Sequence, residues 1–273
     1  MAVISALFGL LWAQSAAQAT PHPLPFTYPV ETLPDGQTEL EQYGDVVPLR
    51  VNADPTDPSK GRLWEPSYVL QTEIEHGISD RWELGFYQVF EAGPRDGGSN
   101  SLQFDGFKFR ARTRLGELGE WPVDVGLYFE LATLHDEIEL EEKLILQRRF
   151  GRLRWMANLW VEQEYDRPFD AASQGRSLHF VVNPTTGFTY QVTPTVHLGV
   201  EYWARGELRP TGDTDQARNN RRVHHFVGPA FHFNFGRVWW SLGTYANLND
   251  SDKPQPGDTY GPIWIRSLLG IEL

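Results

Sequence analysis

Between Trp121 and Asp166 the chain reads as three consecutive runs with apolar residues at every second position. Val123, Val125, Leu127, Phe129 and Leu131 alternate with Asp124, Gly126, Tyr128, Glu130 and Ala132. Ile138, Leu140, Leu144 and Leu146 oppose Glu139, Glu141, Lys143 and Gln147. Leu153, Trp155, Ala157, Leu159 and Val161 oppose Arg154, Asn158, Glu162 and Glu164. A period of two means extended strands, because successive side chains point to opposite faces. Such strands are long for a soluble sheet. They carry the signature of an outer-membrane β-barrel, in which lipid-facing apolar residues alternate with lumen-facing polar ones. A β-sandwich core alternates too. Charges at successive polar-face positions and aromatics gathered near strand ends weigh against it.

The same alternation predicts strands over 37–51, 64–77, 81–91, 102–115, 121–134, 137–149, 152–165, 176–192, 195–207, 222–235, 237–248 and 262–273. The fold class expected is therefore an all-β, antiparallel, up-and-down transmembrane barrel of about twelve strands. Short turns at Gly77–Arg81, Gly116–Glu120, Arg149–Arg152, Val192–Thr195 and Phe235–Arg237 alternate with longer polar connections. The exception is the tight Leu134–Glu137 link, which occupies a long-loop slot. Barrels have short periplasmic turns and longer extracellular loops, so both termini are expected in the periplasm.

The barrel is expected to occupy 35–273. Ahead of it, Ala2–Trp12 is almost wholly apolar and is followed by Ala17-Gln18-Ala19, a small-x-small pattern. Residues 1–19 read as a signal peptide cleaved after Ala19, the run being too short to span a bilayer as a helix. No Lys or Arg precedes that run, which points to a true start further upstream. Residues 20–34, rich in Pro and without an evident period, are expected to be an extended periplasmic leader. The chain contains no Cys, which excludes a Cys nucleophile and Cys-based metal sites. Its net charge of −12 argues against nucleic acid as a partner.

Glu73-Ile-Glu-His-Gly-Ile-Ser-Asp-Arg-Trp-Glu-Leu-Gly85 resembles a hairpin common in uncharacterised Gram-negative outer-membrane barrels. These include the transporters grouped with the MetA pathway of phenol degradation. The resemblance implies an outer-membrane channel or transporter, and it speaks to architecture far more than to any solute. At the other end, Ile265, Leu269, Ile271 and Leu273 alternate around Gly270, similar to the signal read by the barrel-assembly machinery. Leu273 stands where that signal usually has an aromatic residue. The partners expected are outer-membrane lipids, the assembly machinery and small solutes.

Within the lumen, four features stand out. Lys108, Arg110, Arg112 and Arg114 point to one side of a single strand. They form either an anion path or a salt-bridge ladder with Glu73, Glu75, Glu83 and Asp124. Glu130, Glu139, Glu141, Glu162 and Glu164 are brought together by hairpin pairing into an acidic mouth. That mouth is a solvated rim, a cation-attracting vestibule or a site for a hard divalent ion. His179, Trp203, Arg205 and His224 converge near one rim as candidate contacts for a solute. Trp82, Trp121, Trp155, Tyr190, Phe235 and Trp240 at one level, and Tyr68, Phe90, Phe104, Tyr165 and Trp264 at the other, read as two interfacial girdles.

Three functions compete. The first is a channel or transporter for small solutes, acting by diffusion through a charged lumen. The second is a structural or assembly barrel whose lumen is closed, which inward Trp160, Trp203 and Trp239 would suit. The third is a lipid-modifying enzyme. It needs a Ser/His pair with an orienting group, and no adequate constellation is visible: Ser99-Asn100 has no His beside it, and Ser241 lies on a different strand from His225. The expectation is a non-enzymatic protein of the outer membrane without cofactor or assigned metal.

Overall fold

A computed structural model describes residues 22–53, 62–92, 101–166, 178–207, 223–249 and 260–273. The strands are β1 (Thr38–Ala53), β2 (Arg62–Ser79), β3 (Trp82–Ala92), β4 (Gln103–Arg114), β5 (Asp124–Leu134), β6 (Glu137–Phe150), β7 (Leu153–Asp166), β8 (Leu178–Val182), β9 (Thr185–Thr193), β10 (Val196–Glu207), β11 (His224–Asn234), β12 (Val238–Asn247) and β13 (Ile263–Glu272). Each pairs antiparallel with its sequence neighbour, except that β8 and β9 do not pair with each other. β13 pairs with β1 and β10 with β11, so the sheet closes on itself. Closure satisfies the backbone donors and acceptors that an edge strand would leave bare, the condition for crossing a bilayer with strands.

Thirteen segments fill twelve positions around this barrel. The strand expected over 176–192 is broken at Asn183-Pro184 into β8 and β9, and both halves pair with β7 and β10. Pro184 has no N–H for the ladder. Its carbonyl still accepts from Ala204 at 3.0 Å, and Asn183 donates to Trp160 at 2.9 Å, which stitches the break into the wall.

Both ends of the barrel wall lie together, with Leu273 N donating to Thr38 O at 2.9 Å. That end carries the tight turns between β2 and β3, β6 and β7, β9 and β10, and β11 and β12. Gly151 and Gly236 sit at two of these with φ of +60° and +85°, a left-handed conformation that side chains disfavour. At the same end, hydrogen bonds from Arg114 and Arg81 hold the exposed Glu117 carboxyl below the usual range. The longer connections expected at 52–62, 91–101, 166–175, 208–221 and 249–261 fall largely outside the described residues, as do the expected signal peptide and Ser99-Asn100.

The outer face follows the predicted register. Leu127, Phe129, Leu131, Leu159, Phe109, Phe188 and Val200 are exposed, while their neighbours Tyr128, Glu130 and Asn158 are buried in the lumen. Trp82, Trp121, Tyr190, Phe235 and Trp240 stand exposed near the tight turns, and Tyr68, Phe104 and Tyr165 near the opposite ends. Trp264 departs from the expected girdle. It faces inward, donating its indole N–H to Asp45 at 2.8 Å. Its even-numbered position on β13 puts it on the same face as Arg266 and Leu268.

The largest departure lies before the barrel. Residues 22–34 run inside the lumen instead of forming an extended periplasmic leader. Leu24, Phe26, Val30 and Leu33 are at most 5% exposed. From Pro34, whose carbonyl accepts from Gln37 in the turn that Gly36 and Gln37 bond to Gly77, the segment climbs past Val30 and Tyr28 to Phe26 and then doubles back. His22 ends beside Glu41 and Phe26 lies over Arg266, the register partner of Asp45. Four strand residues separate the two levels on β1, about 13 Å.

If the exposed apolar face meets lipid, Leu127→Arg and Leu159→Arg destabilise the inserted barrel by about 2–4 kcal/mol each. The heat-modifiable gel mobility of a closed barrel should appear at lower yield for both. Leu159→Ile should behave as the parent, and equal yields from all three chains would reverse the facing.

Candidate functional site in the lumen

The lumen is organised by how residues 22–34 are held. Pro23, Pro25 and Pro29 bring no N–H, so the segment enters the barrel with fewer donors to satisfy. Five of the remaining amides find wall side chains. Phe26 and Thr27 donate to Glu201 Oε1 at 3.0 and 2.7 Å, and the Thr27 hydroxyl adds a third bond at 2.7 Å. Tyr245 OH donates to the other Glu201 oxygen. Tyr28 N donates to Asn158 Oδ1 at 2.7 Å, and Asn158 Nδ2 returns a bond to Tyr28 O at 3.1 Å. Val30 N reaches Gln147 and Leu33 N reaches Glu83.

Apolar packing follows the same geometry. Leu24 rests on Met156 and Ala230 over Gly187 and Gly199. A Cβ on Gly187 would lie 2.6 Å from Leu24, so the bare backbone is what admits that side chain. Phe26 stacks on Trp203 at 4.5 Å, and Trp203 stacks on Phe226 at 4.0 Å. Lys143 Nζ sits in a cage of Trp160, Tyr128 and Tyr28 at 3.8, 4.1 and 4.2 Å. The strand residues that meet the segment include the inward Tyr87, Tyr128, Ile145, Met156 and Phe226. A water-filled lumen has little use for them.

The segment divides the interior. On the long-connection side a cavity of about 320 Å³ is lined by Phe26, Trp160, Trp203, Arg205, Tyr260, Trp264 and Arg266. On the tight-turn side a cavity of about 300 Å³ is lined by Glu31, Arg149, Arg152, Arg154, His197 and His232.

The basic ladder is split between partners. Arg110 is fully buried and pairs with Glu73 at 2.6 Å, with Glu83 at 2.5 Å and with Glu75. Arg112 shares Glu83 at 2.8 Å and donates to Pro29 O of the lumen segment at 3.4 Å. Lys108 turns the other way, to Glu130 at 3.0 Å and Glu139 at 3.6 Å. Arg114 pairs with Glu117 at 2.6 Å near the tight turns. Asp124 is not where the ladder needs it. Across β4 and β5 Arg112 faces Tyr128 and Arg114 faces Gly126, so Asp124 lies past the ladder, where it accepts the Gly119 amide at 2.6 Å.

The five mouth carboxylates do come together, with Glu130 opposite Glu141, Glu139 opposite Glu164 and Glu141 opposite Glu162. In the structure Lys143 pairs with Glu141 at 2.6 Å, Lys108 serves Glu130 and Glu139, and Arg205 serves Glu162 at 2.6 Å and Glu164. Glu137 joins Glu139 and Glu164, their oxygens within 4.8 Å of one another. Of the four candidate solute contacts, Trp203 and Arg205 line the upper cavity. His224 stacks on Tyr260 at 4.3 Å, and His179 lies across from Glu164 on β8. Glu201, Asn158, Gln147, Asp45 and Arg266 were not singled out from sequence. All five take part in inward contacts on the predicted register.

No protein-family model matches the chain, and no curated protein matches it either. Its fold is similar to that of the COG4313 outer membrane channel from Pseudomonas putida F1. The TM-score is 0.63 at 14% identity, over 89% of this chain and 98% of that one. It is also similar to the NanC porin, with a TM-score of 0.57 at 9% identity over 86% and 100% of the two chains. At such identities the likeness concerns the fold: a closed, porin-like outer-membrane barrel.

Arg110 offers the sharpest energetic test of the lumen. Arg110→Met leaves Glu73 and Glu75 buried without their cation, which costs about 3–5 kcal/mol. Urea unfolding from lipid vesicles should show that loss. Arg81→Ala, which removes an exposed partner of Glu117, should leave the midpoint nearly unchanged.

Proposed function

We propose that this protein is an outer-membrane channel for small solutes whose own residues 22–34 close the lumen, so that passage requires the segment to shift or leave. The observation that carries the reading is the segment itself, inside a barrel of porin-like fold with a cavity on either side. Its contacts suit a displaceable element. They are side-chain hydrogen bonds and packing, with no strand pairing to the wall. The upper cavity is of the size that small-molecule sites have. Its Trp203, Trp160 and Trp264 offer flat apolar faces beside the salt-bridged Arg205 and Arg266, a surface for small aromatic solutes. The mouth around it keeps an excess of acid, since Glu130, Glu137, Glu139, Glu141, Glu162 and Glu164 face Lys108, Lys143 and Arg205. An opened pore should therefore favour cations.

The filled lumen also suits a second reading, a structural or assembly barrel that never conducts. An enzymatic reading has less support. Ser241 does meet a histidine, His232, at 2.8 Å. Its hydroxyl donates to the His22 carbonyl, however, so His232 Nδ1 is the donor in that pair and cannot take the serine proton.

In planar bilayers the parent should show small or intermittent currents, and deletion of residues 22–31 should raise the open conductance several-fold. In the deleted chain, reversal potentials across a salt gradient should show cation preference that Glu139→Gln/Glu162→Gln reduces. No current from either chain would favour the structural reading. Anion selectivity unmoved by the double change would assign control of the path to Arg149, Arg152 and Arg154 at the other end.

A further inference from the structure

The wall beneath the turned-back end of the lumen segment holds more acid than base. Glu39 lies opposite Glu75 and Glu41 opposite Glu73 on adjacent strands, an arrangement in which like charges repel. With Glu83 that makes five carboxylates beside the two guanidinium groups of Arg110 and Arg112. Arg110 spends its donors on Glu73, Glu75 and Glu83, Arg112 also binds Glu83, and Glu39 accepts from the Trp239 indole. Glu41 receives none of them. Both of its oxygens are buried without a hydrogen-bond partner, and so is the second oxygen of Glu75. His22 Nε2, fully buried and equally without a partner, points into the same space, 4.0 Å from Glu41 Oε1. One donor atom from each of His22, Glu41 and Glu75 falls within a sphere where all lie less than 4.8 Å apart.

Orphaned atoms at this depth are costly, and here they converge. Side chains on three separate stretches of chain bring one imidazole nitrogen and one oxygen from each of two carboxylates within 4.8 Å of one another. The imidazole is held in place. Its ring packs edge-on to Tyr28 at 4.6 Å and parallel to Trp239 at 5.8 Å, and its backbone carbonyl accepts from Ser241. Glu75 is oriented by Arg110 through its other oxygen. A ligand held by a neighbour through its remaining polar atom is the usual second layer of a metal site.

We propose that His22, Glu41 and Glu75 bind a divalent transition-metal ion, Zn²⁺ being the ion whose ligand set fits best. An imidazole nitrogen with carboxylate oxygens is a Zn²⁺ donor set, and Glu41 binding through both oxygens completes four donors. Tetrahedral bonds of about 2.0–2.2 Å set ligand atoms about 3.4 Å apart, so the separations shown close by up to about 1.4 Å, within reach of side-chain rotation. The ion neutralises the carboxylate excess. It also ties the lumen segment to β1 and β2, because His22 belongs to the segment while Glu41 and Glu75 belong to the wall. The acidic group Glu137, Glu139 and Glu164 at the opposite end lacks such orphaned, fully buried ligands, and no ion is assigned there.

The test uses the full chain folded in detergent, exposed to Zn²⁺ and freed of excess metal by gel filtration. Elemental analysis should find close to one Zn²⁺ per chain, and Co²⁺ in its place should give the intense visible absorption of a four-coordinate site. His22→Ala and Glu41→Gln should each lower zinc affinity by about 10-fold or more. Heat-modifiable mobility should confirm that both variants are folded. His22→Ala changes the segment and leaves the wall intact, so it separates lost ligation from lost barrel. A parent that retains no zinc, or variants that retain as much as the parent, would overturn the proposal.

Discussion

The interior of this barrel depends on where the backbone amides of residues 26–33 find their acceptors. A polypeptide placed inside a lumen without joining the sheet cannot use the ladder, and each buried N–H left unpaired would cost about 1–3 kcal/mol. Proline at 23, 25 and 29 removes part of the problem. Glu201, Asn158, Gln147 and Glu83 solve much of the rest from four different strands. Those acceptors only meet the segment because the wall alternates. Each sits on the inward half of a period-two pattern whose outward half is Leu, Phe and Val. The apolar surface outside and the polar contacts inside are thus one constraint seen from two faces of the same strands.

Charge arrangement follows from that filling. Arg112 contacts the segment directly, and Arg266 lies 3.8 Å from the Phe26 ring. Lys143 is enclosed by Tyr28 of the segment and by Tyr128 and Trp160 of the wall. The lumen therefore holds two acidic groups separated by the segment. One is at the mouth, where Lys108, Lys143 and Arg205 partly balance it. The other is around Glu41 and Glu75, where Arg110 pairs with Glu73, Glu75 and Glu83 and does not reach Glu41. A channel opened by moving the segment would change both fields together, because Lys143 loses an aromatic face and Arg112 an acceptor in the same event.

Much of the wall was legible. Period two across β5, β6 and β7 is strong because lipid tolerates few polar side chains, and it gave register, closure and the pairing of the mouth carboxylates. The break at Asn183-Pro184 was carried by a proline inside a predicted strand. Asp124 was misplaced because the turn was taken to run from Leu115 to Trp121, which would set Asp124 near Arg112, where Tyr128 lies instead. The lumen segment was missed for a different reason: Pro in a leader suggests irregular chain. Yet Leu24, Phe26, Tyr28 and Val30 alternate with Pro23, Pro25, Thr27 and Pro29. Ile145, Met156 and Leu268 occupy inward positions where a wet lumen would want polar residues. Those two signals pointed at each other. What sequence could not supply was the pairing of segment with wall, such as Glu201 with Thr27, since contacts spanning the whole chain leave no local pattern.

The accessibility of a single thiol at position 27 tests the placement of the segment most directly. The chain has no Cys, so Thr27→Cys introduces the only thiol and leaves Glu201 in place. Thr27 is fully buried against Glu201. With the segment seated in the lumen, that thiol should resist a bulky reagent in the folded barrel and react once the barrel is unfolded. Modification in the folded protein at the rate of a free thiol would contradict the account.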